Sequence, residues 1–170
     1  WAGTRGGELV RFADGTWEIH DTADSNLLGD GVQALAAADG VVWTGTSGGL
    51  ARFANDKWQT YTVASGDLPD NDVRELAIAD GAVWVATADG GLTRLADGEP
   101  PQVYTRASSG LPSDIIQSLA AADGALWVGT RGGLARFSEG QWRVYTKADN
   151  GLPADNVLAL AVTKDGLWVG

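Results

Sequence analysis

Few side chains in this sequence are of a type and spacing that could do chemistry. There is no Cys, and His20 is the one His. Thiolate zinc sites, disulfides, cysteine nucleophiles and multi-histidine metal centres are therefore excluded. The densest acidic group is Asp67, Asp70 and Asp72, close to Glu75. Carboxylates so grouped can hold a hard cation such as calcium, or act as an acid–base pair on sugars. Their spacing is not that of an EF-hand loop, however, and Asp is common in turns because its carboxylate bonds nearby backbone N–H groups. We read them as turn residues. The run Arg131-Gly132-Gly133 looks like a phosphate cradle, but the same Gly-Gly pair recurs between apolar segments with no helix behind it. It reads as a hairpin turn. No nucleophile elbow, P-loop or zinc-protease signature is present. The expectation is a protein that is not an enzyme and has no catalytic residue, metal or cofactor.

Charge and composition narrow the partners. Twelve basic against 22 acidic side chains leave a net charge of −10, which repels phosphate backbones and argues against nucleic acid. No apolar run approaches the ~20 residues of a membrane span, so no membrane insertion is expected. No basic-then-apolar leader is recognised either. With 44% hydrophobic residues the chain can bury a core.

The tryptophans reveal the elements that must position any site. Trp1, Trp43, Trp84, Trp127 and Trp168 recur about every 40 residues and open similar phrases: Trp43-Thr-Gly-Thr46, Trp84-Val-Ala-Thr87, Trp127-Val-Gly-Thr130. Before each internal Trp lies an Ala-rich run of about seven residues (32–38, 73–79, 116–122, 157–163), followed by Asp-Gly at 39–40, 80–81, 123–124 and 165–166. Asp-Gly between apolar runs is a strong hairpin signal, because both residues tolerate positive φ. The Trp strand leads to a Gly-Gly turn and a third strand with Arg11-Phe12, Arg52-Phe53, Arg94-Leu95 or Arg136-Phe137. A fourth strand follows, with Trp17, Trp58 and Trp142 three residues before His20, Tyr61 and Tyr145. His20 therefore reads as a rim aromatic, and the recurring Arg as a residue that serves packing or solvates the blade edge. The Ala runs are too short to form convincing helices.

Four short strands per repeat describe the blade of a β-propeller. The predicted fold is all-β: four-stranded antiparallel blades, four repeats per chain starting near residues 1, 43, 84 and 127, and one propeller or half-propeller unit over 1–170. Blades converge on an axis, so the Ala-rich strand belongs innermost and the Trp/Tyr strand at the rim. Pro100-Pro101, in place of the rim Trp in the third repeat, agrees with an edge strand there.

Leu126-Trp-Val-Gly-Thr130 with Gly132-Gly-Leu-Ala-Arg-Phe137, and Tyr145-Thr146, Gly151-Leu152-Pro153, Asn156-Val157 and Leu160-Ala161, resemble the two-component regulator propeller repeat. The first repeat departs most, with His20 for Tyr and Leu28-Gly29 for Leu-Pro. The resemblance implies a bacterial sensor domain, an extracytoplasmic location and a carbohydrate or peptide ligand.

Three blades are complete, at about 32–63, 73–105 and 116–147. The inner strand at 157–163 could pair beside Trp1–Thr4 and close a four-bladed ring, or do so in a second copy to give an eight-bladed homodimer. Dimeric self-assembly is the closure we expect, with further blades of a longer chain as another way to complete the ring. Trp168-Val169-Gly170 repeats the strand opening that Trp1-Ala2-Gly3 already supplies, which suggests a stretch of a longer array, natural or engineered. Ligand contacts are expected where the scaffold varies. The loops between second and third strands carry Arg5, Ser47, Asp89 and Arg131 at equivalent positions. The inner strands add Gln33, Arg74 and Gln117, and one residue on, Glu75 and Ser118. Such polar groups would ring the mouth of a central channel.

Overall fold

A computed structural model describes residues 1–20, 27–29 and 31–170. The first sheet holds β1 (Ala2–Gly3), β2 (Leu9–Ala13) and β3 (Thr16–His20). The second holds β4 (Val32–Ala38), β5 (Val41–Thr46), β6 (Gly49–Ala54) and β7 (Lys57–Tyr61). The third holds β8 (Val73–Ala79), β9 (Ala82–Thr87), β10 (Leu92–Ala96) and β11 (Gln102–Tyr104). The fourth holds β12 (Ile116–Ala122), β13 (Ala125–Thr130), β14 (Gly133–Ser138) and β15 (Gln141–Tyr145). A hairpin of β16 (Leu160–Thr163) and β17 (Gly166–Val169) follows. Within each sheet the strands are antiparallel and adjacent in chain order. The Ala-rich strands β4, β8, β12 and β16 contact one another in succession, so the small residues do lie where the sheets converge.

Turn chemistry sets the registers. Asp39-Gly40, with φ of 52° and 76°, makes the two-residue hairpin that pairs Ala38 with Val41, and Asp80-Gly81 and Asp123-Gly124 repeat it. The fourth such pair differs from expectation. Thr163 pairs with Gly166, so the turn is Lys164-Asp165, and Gly166 is already strand. Thr163 Oγ1 donates to the Gly166 carbonyl, as Thr46 does to Gly49 and Thr130 to Gly133. A Thr-x-x-Gly turn of the kind used between second and third strands has replaced Asp-Gly at this hairpin.

Two single-turn helices, α1 (Arg106–Ser109) and α2 (Lys147–Asn150), lie in the connections between sheets, where the sequence reading expected none. Local capping forms them. Thr105 and Thr146 accept from the N–H three residues on, and Gly110 and Gly151 end each turn in the left-handed region. Asp114 and Asp155 accept from the first helical N–H groups, at 2.6 Å in both cases. In the connection without a helix Asn71 accepts from Val63 N–H, and Leu68 and Leu111, three residues before Asn71 and Asp114, are buried.

Sheets meet through two contacts. Near the axis, Gly3, Gly45 and Gly129 have no Cβ because the next sheet's leading Val occupies that space. A methyl at Gly129 would overlap Ser118 Oγ of its own sheet and stand 2.7 Å from Val157 Cγ1, and one at Gly45 or Gly3 would overlap Val73 or Val32. The third sheet carries Ala86 at this position, fully buried in one cluster with Ile116. Further out, aromatics interlock. Trp84 and Tyr104 of the third sheet pack on Phe137 and Trp142 of the fourth, with ring centroids 5.0–6.3 Å apart. Trp1 and His20 pack on Phe53 and Trp58 in the same way, at 5.1–5.9 Å. Arg11, Arg52 and Arg136 cover Trp1, Trp43 and Trp127 at 5.5–5.9 Å, a cation–π packing role for three of the four recurring Arg, while Arg94 pairs with Glu99.

The chain is not a closed ring. β16 pairs with β17 of its own hairpin, so the position beside it that Trp1–Thr4 would need is filled. The pairing of 157–163 with the first strand inside one chain, the alternative to closure by a second copy, does not form.

Gly45→Val and Gly129→Val should each overpack a junction and cost about 1–3 kcal/mol. Chemical denaturation would show this as a lower midpoint, and an unchanged midpoint would remove close approach as the reason for Gly.

Candidate functional site

The start of each inner strand and the end of each second strand share one end of the sheet, together with the loop to the third strand. The inner strands reach that end through a β-bulge. Val32 lies opposite Thr46 and Ala34 opposite Gly45, so Gln33 has no partner across the ladder. Arg74 and Gln117 occupy the same unpaired position in the third and fourth sheets. Leu158 repeats it, since the Gly170 carbonyl accepts from both Leu158 N–H (2.7 Å) and Ala159 N–H (3.2 Å). A bulge turns its side chain out of the ladder pattern. Gln33 and Arg74 are exposed, and Gln117 is half-buried with no hydrogen-bond partner for its Oε1.

Three of these groups are drawn together across a sheet junction. Asp72 accepts from Gln33 Nε2 at 3.1 Å through Oδ1, and from Arg74 Nη2 through Oδ2. Asp72 thus joins the second sheet to the third, a role not assigned to it from sequence. The available signal was an Asp two residues before an Arg on an inner strand. The neighbouring carboxylates are engaged locally: Asp70 accepts from the N–H groups of Asp72 and Asp89, both at 3.2 Å, and Asp67 accepts from Ser65 Oγ at 2.6 Å. Among the described residues no group of three or more His, Asp or Glu is placed to hold a metal ion.

The loop residues follow less regularly. Arg5, Ser47 and Arg131 directly follow the Thr at the end of the Trp phrase, and all three are exposed. Asp89 does not share their position. Ala88 follows Thr87, the loop is one residue longer, and Asp89 stands one step further along it. These loops lie against the connections entering the same sheet: Gly48 abuts Leu28 and Gly29, Gly90 abuts Pro69, and Gly132 abuts Pro112. The loops and connections therefore share one face, with Gln33, Arg74 and Gln117 at its inner margin. His20 is elsewhere, stacked on Trp1 at 5.8 Å among the junction aromatics.

The WD40 repeated domain matches residues 1–136, a stretch that includes the first three sheets and most of the fourth. The chain belongs to the WD40 repeated-domain family. Among curated proteins no sequence matches it. Solved structures place this WD40 chain among propeller-like folds. The extracellular domain of the putative one-component system BT4673 from B. thetaiotaomicron superposes with a TM-score of 0.72 at 20% identity, over 97% of this chain and 23% of that one. Virginiamycin B lyase from Staphylococcus aureus gives 0.67 at 17%, over 96% and 56%. The computationally designed Ika8 protein gives 0.62 at 18%, over 96% and 52%. The WD40 chain therefore spans about a quarter of the BT4673 domain's length, and at these identities the likeness concerns fold. No helix among the described residues is long and apolar enough to cross a membrane.

Glu75 stands one residue beyond the bulge, where the other sheets of this WD40 chain carry the buried Ala34 and Ser118. Burial pushes its carboxyl above the usual carboxylate range. The folded chain then holds this proton more tightly than the unfolded one, so stability falls as pH rises through the folded pKa. Glu75→Gln should raise the melting temperature at neutral pH and change little below about pH 4, where both states are protonated. A melting-temperature gain that did not vary with pH would show that charge burial is not the cause.

Proposed function

We propose that this chain is part of a non-enzymatic binding module, with the ligand held on the face that carries the inner-strand bulges and the loops between second and third strands. The carrying observation is the recurrence of an unpaired polar side chain, Gln33, Arg74 and Gln117, at one place in three successive sheets. Arg5, Ser47, Asp89 and Arg131 add polar groups on the same face, and Glu75 lies just behind the bulges. The repeat grammar of the two-component regulator propellers, together with fold neighbours that are extracellular domains, supports an extracytoplasmic sensor with a carbohydrate or peptide ligand. Absence of catalysis agrees with the place of His20, which is packed among aromatic rings rather than on this face.

Glycan and peptide arrays test the reading. A saturable response is expected, reduced roughly tenfold by Arg74→Ala, the worth of one hydrogen bond to a charged group. Flat responses on both arrays, or a response indifferent to Arg74→Ala and Gln117→Ala together, would overturn it.

A second reading rests on the outer faces of the first sheet and the last hairpin. Trp17 and Ile19 on the one, and Trp168 on the other, are each about two-thirds exposed (66%, 64% and 67%). Large exposed apolar patches mark interaction surfaces, and a second copy of the chain would cover them. Native mass spectrometry should then give twice the 17.7 kDa of one chain. A single-chain mass at micromolar concentration rejects this.

A further inference from the structure

The junction between the second and third sheets lacks half of its aromatic packing. At the flanking junctions, Trp and Tyr or His of one sheet meet Phe and Trp of the next. Here Trp43 and Tyr61 are in place, 5.5 Å apart, but the facing positions hold Leu95 and Pro101. A branched aliphatic chain and an imino ring replace a phenyl and an indole. The missing volume remains as a crevice of about 210 Å³ along Trp43, Arg52, Ile78, Val83 and Leu95, with a smaller one of about 80 Å³ beside it at Tyr61 and Pro101. An apolar cavity of about 150 Å³ is enough to admit benzene.

The walls also carry charge. Asp97 lines both compartments, Asp39 stands at the larger, and Asp67 and Glu99 at the smaller. Against these four carboxylates the lining supplies one cation, Arg52, which lies 5.5 Å over the Trp43 ring and 3.8 Å from Asp97. Arg94 pairs with Glu99 at 2.5 Å, from outside the lining. Trp43, Ile78, Val83 and Leu95 therefore give the crevice an apolar wall, and its carboxylates outnumber its one cation.

We propose that this crevice is a binding site for a small aromatic amine. The ring takes the place of the missing phenyl and indole against Trp43 and Leu95, and the ammonium group pairs with Asp97. Aromatic rings gain from offset or edge-to-face contact of the kind the neighbouring junctions show. The site is separate from the bulge-lined face. The hairpin turns Asp39-Gly40 and Asp80-Gly81 and the Asp97-Gly98 turn belong to the opposite end of the sheets, so failure here leaves the proposed face untouched.

Titration with tryptamine, followed by NMR and calorimetry, tests the proposal. Saturable binding is expected, with shifts confined to the Trp43, Tyr61 and Leu95 surroundings, and weaker binding of the anion indole-3-propionate. Asp97→Asn should reduce tryptamine affinity by roughly two- to fivefold, the range of an exposed ion pair, and leave indole-3-propionate no weaker. Leu95→Phe with Pro101→Trp restores the aromatic quartet and should abolish binding while raising the melting temperature. Should the double variant fail to fold, Leu95→Phe alone must still weaken binding. Absence of saturation, equal affinity for the two indoles, or unchanged affinity in the filled variants would each overturn the site.

Discussion

Close approach of neighbouring sheets near the axis is the constraint on which the rest of this chain depends. The Gly of the Trp-x-Gly-Thr phrase gives up its side chain so that the next sheet's leading Val can sit against bare backbone. With that contact made, the inner strands converge, the outer strands diverge, and large rings are required further out to fill the widening space. The Trp, Tyr, Phe and Arg of each repeat are answers to that geometry. So are the Ala-rich inner strands, which would be poor choices for an isolated sheet, where β-branched residues are favoured.

The strand order, the Asp-Gly hairpins and the rim aromatics were legible because each is dictated by a local rule and repeated several times. Trp period, turn pairs and side-chain size all indicated the same sheet. What could not be read was set by less repetitive features. The single-turn helices of the connections arise from a Thr cap, a distal Asp acceptor and a terminal Gly, spread over ten residues. The turn at Lys164-Asp165 was misplaced by one residue because Asp-Gly is present in sequence, while Thr163 imposes a different hydrogen-bond pattern.

The candidate face was legible in part. Gln33, Arg74 and Gln117 stood out by polarity against an apolar strand, but the bulge that leaves them unpaired is invisible without registers. Asp89 seemed equivalent to Ser47 because both precede glycines, and the extra residue after Thr87 moves it along its loop. Asp72 was seen only as turn chemistry, since its partner Gln33 lies 39 residues away and on another sheet. The two departures in the third repeat, Leu95 and Pro101, were visible from the start. Their meaning lay in what they face, and that required the junction.

The bulge has a consequence for how such a chain can change. A paired residue on an inner strand is held to account by its partner across the ladder and by the sheet beside it. The extra residue of a bulge has no partner across the ladder, and its side chain can be exchanged without altering register, at the cost in Gln33 of one hydrogen bond to the next sheet. Gln, Arg, Gln and Leu already occupy that one position in the four inner segments while the surrounding backbone repeats. Surface chemistry and architecture are thereby written in separate letters of the same repeat, and the side chains at this end can be revised one sheet at a time.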